Sequence, residues 1–121
     1  MLISILLLLT GPADAVPHDP PPFDMTPYFS GTLRIEQLGE VDRMLIESGG
    51  RYEMYGVRIP EADGNWWFEK DQFCILPDPQ PGVVTSPFCM NLPGRKPGDT
   101  WTQTFGDVTV KYMLLAGRTA R

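Results

Sequence analysis

The chain has 121 residues and a formal net charge of −5, from 10 Lys and Arg against 15 Asp and Glu. This length is typical of a single domain, and the mildly acidic balance favours solubility. Phosphate binding needs clustered Lys and Arg, whereas the basic residues here are scattered, so nucleic acids and anionic lipid surfaces are disfavoured as partners.

Apolar residues open the chain in the run Leu2–Leu9, broken only by Ser4, and the small residues Ala13-Asp14-Ala15 follow. The run is much shorter than the roughly 20 residues that cross a bilayer, and the arrangement is typical of a cleaved secretory signal. We therefore predict a signal peptide over residues 1–15, no membrane span, and export to the periplasm or outside the cell. Because no Lys or Arg precedes Arg34, the usual charged start is missing, and a buried N-terminal strand is the alternative.

Prolines dominate the next segment, residues 16–30, with five of them between Val16 and Pro27. Proline fixes φ and has no backbone N–H, so neither a helix nor a ladder strand is expected up to Pro27. We predict an extended leader whose second half is apolar enough to lie against the domain. The apolar residues of that half are Phe23, Met25, Tyr28 and Phe29.

After Gly31 the apolar residues alternate with a period of two, which indicates half-buried strands. We predict eight short strands from the sets of residues that share a face. The sets are Leu33 and Ile35; Met44 and Ile46; Tyr52 and Met54; Trp66 and Phe68; Phe73 and Ile75; Phe88, Met90 and Leu92; Trp101 and Phe105; and Val108, Val110, Tyr112 and Leu114. The predicted turns between them are Gly39-Glu40, Gly49-Gly50, Asp63-Gly64, Lys70-Asp71, Gly98-Asp99 and Gly106-Asp107.

Short turns between successive strands predict an all-β domain over residues 31–117, an antiparallel meander, with a C-terminal tail at 118–121. With one apolar face to bury, such a meander curls into a small barrel or half-barrel. A two-sheet sandwich is the alternative, and only Pro77–Pro87 is long enough for the crossing connection it needs. The inward aromatic side chains are bulky enough to fill a small barrel, which disfavours an internal ligand. They are Trp66, Phe68, Phe73, Phe88, Trp101, Phe105 and Tyr112.

The chain contains two cysteines, Cys74 and Cys89, with 14 residues between them. In an oxidising compartment we expect them to form a disulfide, and closing a loop of this size stabilises the fold by about 3 kcal/mol. The alternation places both sulfurs on the face opposite the core. With no further cysteine and with His18 as the single histidine, metal binding by the pair is disfavoured. We predict neither a metal nor a cofactor.

The loop that the disulfide would clamp is rich in proline. Such a loop loses little entropy on binding and is therefore a candidate recognition surface. A stiff connector that resists proteolysis is the alternative. The candidate residues are Asp78, Pro79, Gln80 and Pro81, followed by Gly82.

Trp67 is a second candidate for recognition, since it faces away from its neighbours Trp66 and Phe68. An exposed indole at this position would stack on a sugar, a lipid chain or another protein. Tyr55 is the predicted cross-strand neighbour of Trp67. The alternative for Trp67 is packing against the disulfide or the leader.

Two pairs of carboxylates lie close in sequence, Glu61 with Asp63 and Glu69 with Asp71. Paired carboxylates can act as acid and base in glycoside hydrolysis, but acidic residues at turns usually form local hydrogen bonds. A Ser-His-acid triad is disfavoured because His18 lies in the leader. We therefore expect no catalysis.

Four short segments carry a family resemblance. They are Pro27-Tyr28-Phe29-Ser30-Gly31-Thr32-Leu33; Gly64-Asn65-Trp66-Trp67-Phe68 followed by Phe73-Cys74; Pro87-Phe88-Cys89; and Gly98-Asp99-Thr100-Trp101. Together they resemble a class of small secreted bacterial proteins with a lipocalin-like or calycin-like β-meander. The chain departs from that pattern at Asp71-Gln72, where such proteins often have glycine in the turn. The resemblance implies a periplasmic location and no assigned activity, and it transfers no functional residues.

Taken together, the patterns predict a monomeric binding or inhibitor module, periplasmic or secreted, that acts through surface recognition. Its expected partner is an unknown protein or an envelope component. A structural accessory of the envelope is the first alternative, and a hydrolase that uses the turn carboxylates is the second.

Overall fold

The structure, a computed structural model, describes residues 18–57 and 61–119. The predicted signal peptide and its cleavage site lie outside the described residues. One short helix is followed by eight strands, which confirms the all-β prediction. The elements are α1 (Thr26–Phe29), β1 (Gly31–Gln37), β2 (Glu40–Ile46), β3 (Arg51–Gly56), β4 (Ala62–Glu69), β5 (Gln72–Pro77), β6 (Phe88–Met90), β7 (Thr100–Phe105) and β8 (Val108–Ala116).

All eight strands belong to one antiparallel sheet in the order β6-β5-β4-β3-β2-β1-β8-β7. Strand β8 pairs with β1, with Leu33 opposite Leu114, so the meander curls into a half-barrel. Side chains join the two edge strands, because the rings of Phe88 and Phe105 lie 5.6 Å apart. The predicted half-barrel meander is therefore confirmed, and the sandwich alternative is wrong.

The connections of an up-and-down meander alternate between its two ends. The turn 38–39, the connection after Gly56, the loop 78–87 and the turn 106–107 lie at one end, here called the cavity end. The connections 47–50, 70–71 and 91–99 lie at the other, together with α1, and this is the plugged end.

The leader closes the plugged end. Met25 and Tyr28 are buried in the core, which confirms that the second half of the leader packs against the domain. The Tyr28 hydroxyl donates a hydrogen bond to the carbonyl oxygen of Pro93, 2.5 Å away in the connection 91–99. The barrel interior is therefore blocked at this end.

The expectation that the leader forms no helix up to Pro27 is wrong, and the leader also makes one isolated bridge to the sheet, although no ladder strand. Helix α1 begins at Thr26 with Pro27 in its first turn, where the missing N–H has no intrahelical partner to lose. Asp19 forms an isolated antiparallel bridge with Phe68, and its amide donates to the Phe68 carbonyl oxygen at 3.0 Å. Residues on either side of the proline run are thus free to use their own backbone groups.

The predicted turn at Asp63-Gly64 is also wrong, because both residues lie inside β4. Gly64 is buried between Tyr52 and Pro77 on the neighbouring strands. A Cβ atom at Gly64 would lie 2.3 Å from the carbonyl oxygen of Leu76. This glycine therefore permits a close approach of backbones instead of a turn.

The disulfide between Cys74 and Cys89 is present and joins residues that stand directly opposite each other on β5 and β6. Cys74 is fully buried. A structural disulfide of this kind is compatible with a periplasmic or extracellular location.

Candidate functional site

An apolar cavity of about 390 Å³ opens at the cavity end of the half-barrel. At about 30 Å³ for each water-sized group, it has room for about 13 such groups. Seven strands supply its walls, all except β4. The lining residues are Ile35, Gln37, Asp42, Met44, Met54, Ile75, Phe88, Met90, Phe105, Val108, Val110 and Tyr112.

The expectation that bulky aromatics fill the whole interior is wrong at this end. Trp66, Phe68 and Phe73 pack on one another on β4 and β5, with ring centroids 5.7 to 6.1 Å apart. Phe88 and Phe105 instead meet across the seam between the edge strands. The positions that face the middle of the half-barrel interior carry shorter aliphatic or methionine side chains, which leave the cavity unfilled.

Three methionines, Met44, Met54 and Met90, form part of the cavity wall. Met44 and Met54 stand directly opposite each other in the register of β2 and β3. Methionine is unbranched and polarizable, so it adapts to irregular apolar shapes. The wall can therefore adjust to more than one ligand outline.

Tyr112 brings a hydroxyl group into the apolar wall. Its side chain is 3% exposed, and its ring is stacked on Trp101 with centroids 5.5 Å apart. The hydroxyl lies 3.5 Å from the Sδ atom of Met90, a weak acceptor. Burial raises the pKa of Tyr112 to about 12, so the group keeps its proton at neutral pH.

Asp42 places an acidic group in the same wall, where it is 4% exposed. Gly56 stands opposite it on β3, and a Cβ atom there would lie 2.3 Å from Asp42 Oδ1. Glycine at this position therefore leaves the space that the carboxyl group occupies. Among the described residues that line the cavity, none is Lys, Arg or His.

The most exposed large apolar side chains of the described residues all lie at the cavity end, and we call them the apolar rim. Leu38 is notable because it is 72% exposed and has a φ of +51°, a conformation that Asn or Gly adopts more easily. The positive φ follows from the two-residue hairpin turn that Leu38 forms with Gly39, so the exposure of the side chain is the feature that distinguishes Leu38. The rim consists of Leu38, Val57, Val83, Val84 and Phe88.

The proline loop predicted for recognition belongs to this end as well. Arg51 fixes its base, since the two guanidinium nitrogens donate to the two Asp78 carboxylate oxygens at 2.8 and 2.6 Å. This hydrogen bonding lowers the pKa of Asp78 below its usual value of 3.8. Sequence reasoning selected the prolines and missed Arg51 and Val84, whose side chain is 97% exposed. Two adjacent apolar residues, Val83 and Val84, in an otherwise polar loop are the sequence feature that would have identified Val84.

Trp67 and Tyr55 are not brought together with this loop or with each other. Trp67 pairs with Cys74 and stacks on His18 of the leader with ring centroids 5.6 Å apart. Tyr55 follows Met54, whose partner on β4 is Ala62, five residues before Trp67, so the predicted pairing of Tyr55 with Trp67 is wrong. The contact of Trp67 with the leader corresponds to the packing alternative.

The two carboxylate pairs lie at opposite ends of the sheet. Glu61 and Asp63 line a shallow depression of about 280 Å³ with Asp78, whereas Glu69 accepts a hydrogen bond from the Trp67 indole at 3.1 Å. Over residues 18–57 and 61–119, no three His, Cys, Asp or Glu side chains are grouped as metal ligands. The same ranges contain no helix with the length and apolar character of a membrane span.

No family model, curated protein or solved structure matches this chain. The resemblance to lipocalin-like secreted proteins stays a prediction. The geometry of the cavity end is the basis on which a function can be inferred.

Proposed function

We propose that this protein is an exported, non-catalytic binding module that holds a small apolar molecule inside its half-barrel. The observation that supports the proposal is the apolar cavity of about 390 Å³ with one plugged end. Concave apolar cavities with few polar groups are the usual sites for small ligands. The predicted binding function is kept, while the proposed site moves from the outer surface to the interior.

The volume of the cavity sets an upper limit on the affinity for an apolar ligand. About 13 methylene-sized groups, each worth about 0.8 kcal/mol when fully buried, would give at most roughly 10 kcal/mol of gross stabilisation, because the cavity is open at one end. Association costs at least about 4 kcal/mol. At most about 6 kcal/mol remains, which corresponds to a Kd no tighter than the order of tens of micromolar.

The surroundings of the cavity also favour reversible loading from one side. The leader and α1 block the plugged end through Met25 and Tyr28. The residues of the apolar rim lie at the other end, where a ligand would leave water, and Phe88 among them lines the cavity. A disulfide and a continuous sheet hold the walls, so little ordering is needed on binding.

Binding is tested with N-phenyl-1-naphthylamine, a neutral probe whose fluorescence rises in apolar surroundings. We expect a saturable increase with one site for each purified full chain. Val110→Trp should abolish it by filling the cavity, whereas Lys111→Trp, the next residue of β8 and exposed, should leave it unchanged. Circular dichroism shows whether each variant is folded. Folded wild-type protein that gives no saturable signal would overturn the proposal.

A second candidate is recognition of another protein by the loop 78–87, as the sequence predicts. It is favoured by the exposure of Val83 and Val84 on a loop whose base is held by Arg51 and Cys89. A chain in which Pro79–Thr85 is replaced by Gly-Ser repeats should lose any partner captured from a native periplasmic extract. Retention of that partner would count against this candidate.

A further inference from the structure

The backbone pairing around the half-barrel is interrupted at one place, the seam between the edge strands β6 and β7. Every other pair of neighbouring strands is joined by a backbone ladder. The contacts that close the seam involve side chains. The rings of Phe88 and Phe105 lie 5.6 Å apart, and the side-chain amide of Gln103 donates a hydrogen bond to the carbonyl oxygen of Asn91, the residue after β6. The seam is therefore the weakest part of the wall.

Phe88 is the residue that the apolar rim and the lining of the cavity have in common. It is 48% exposed to solvent and also contributes to the cavity wall. Phe105, its neighbour across the seam, lines the cavity as well. At this point a single layer of side chains separates the cavity from solvent, whereas paired backbone reinforces the wall elsewhere.

The backbone on each side of the seam is held in place. Strand β6 pairs with β5 over three residue pairs, and Cys89, next to Phe88, is bonded to Cys74. Strand β7 pairs with β8 over six residue pairs. The Phe88 ring can instead turn into solvent about its Cα–Cβ bond, which breaks no backbone hydrogen bond. Exposed side chains change rotamer within nanoseconds, so this movement costs little time.

Resting on the proposed function, we infer that apolar ligands enter and leave the cavity through the seam, with the Phe88 ring as the gate and Phe105 as the surface against which it closes. A ligand that leaves water at the apolar rim passes Phe88 to reach the interior. The gate sets the rates of binding and release, while the rest of the lining sets the affinity. A change that only loosens the gate multiplies both rates by the same factor.

The gate is tested by stopped-flow fluorescence with N-phenyl-1-naphthylamine and the full chain, association being measured on mixing and release on dilution. Phe88→Ala should raise the association rate about fivefold, because the contact between the two rings no longer holds the entrance closed. Phe88→Trp, with a larger ring, should lower it. Lys111→Trp adds the same side chain to an exposed position outside the lining and should change neither rate.

Two further variants separate the gate from general loosening of the wall. Gln103 does not line the cavity, so Gln103→Ala should raise the association and release rates together and leave the Kd unchanged. Ile35 lines the cavity on β1, which is paired on both sides. Ile35→Ala should therefore speed release through lost contact with the probe and leave association unchanged.

Circular dichroism shows whether each variant is folded. Wild-type association rates in both Phe88→Ala and Gln103→Ala would overturn the inference, since the probe would then enter elsewhere. Association accelerated as much by Ile35→Ala as by Phe88→Ala would overturn it too. Absence of probe binding to the wild type would instead contradict the proposed function itself.

Discussion

Arg51 on β3 and Asp78 at the start of the loop 78–87 form two parallel hydrogen bonds, of 2.8 and 2.6 Å. The pair is about half exposed, so it contributes little to global stability, and its main effect is to fix the position of the loop. It ties the start of the loop that carries Val83 and Val84 to β3, across the intervening strand β4. The loop is thereby fixed at one base by an ion pair and near the other by Cys89.

Arg51→Gln should increase proteolysis and hydrogen exchange in the loop 78–87 while changing global stability little. Because the Arg51 hydrogen bond lowers the pKa of Asp78, the anchoring is complete above pH 3.8 and is lost as the pH falls through the lowered value. Wild-type protection should thus persist from pH 7 to pH 4 and decline below. Arg34→Gln, which removes the partly exposed pair with Glu36, is the charge-matched control. Equal loop protection in both variants would contradict the assignment.

Loss of the disulfide should lower the free energy of unfolding by about 3 kcal/mol, because an unfolded chain without the closed loop has more conformations. The measurement is urea denaturation of the Cys74→Ala, Cys89→Ala double variant against the oxidised wild type. Since Cys74 is fully buried, serine at that position would add a desolvation cost, and alanine is the cleaner substitution. An unchanged denaturation midpoint would show that the crosslink has no role in stability.

High pH should destabilise the fold through its buried tyrosines. Burial raises the pKa of Tyr52 and of Tyr112 to about 12, and it raises that of Tyr28 as well. A raised pKa contributes stability that is complete below pH 10, the unfolded value, and is lost as the pH rises toward 12. The contribution of these tyrosines to the denaturation midpoint should therefore not change with pH up to pH 10, and the midpoint should fall above pH 10. Tyr112→Phe should make that fall shallower, and a slope identical to wild type would contradict its burial.

Much of the fold can be predicted from the sequence, because the alternation of apolar and polar side chains along a strand depends on that strand alone. Leu33 and Ile35, or Val108 and Val110, identify a buried face without knowledge of any partner strand. Gly64 was misassigned because glycine serves equally in turns and in close backbone contacts, and only the neighbouring strands distinguish the two. Tyr55 and Trp67 were paired wrongly since the offset between β3 and β4 depends on where the connecting segment ends.

The cavity could not be predicted from the list of inward residues. Its volume depends on where each inward side chain lies along the barrel axis. Trp66 and Phe73 gather at the plugged end, and Phe88 meets Phe105 across the seam.

The C-terminal tail should stabilise the domain through Arg118. Its guanidinium donates to the carbonyl oxygens of Phe29 and Ile46 and to the Glu47 carboxylate, joining the end of the chain to α1 and β2. Arg118→Ala should lower the free energy of unfolding by about 1 to 2 kcal/mol, because two backbone acceptors lose a charged donor. Lysine, with a single compact ammonium group, should recover less than half of the loss. Full stability of the alanine variant would show that the tail is not anchored by this residue.

The turn between β4 and β5 should become more stable when its two residues are replaced by residues that prefer its backbone conformation. Lys70 and Asp71 have φ values of +51° and +64°, so both occupy the left-handed region without a glycine. Lys70→Asn with Asp71→Gly should raise the free energy of unfolding by about 1 kcal/mol, since Asn-Gly is the preferred pair in such two-residue hairpins. The Lys70 amide, which donates to Asp19 at 2.8 Å, is retained by the substitution.

Gly39→Ala, at φ +77° in the corresponding turn of β1 and β2, should lower stability by a similar amount. Opposite signs for the two changes in thermal unfolding would support this geometry, and a stabilising Gly39→Ala would contradict it.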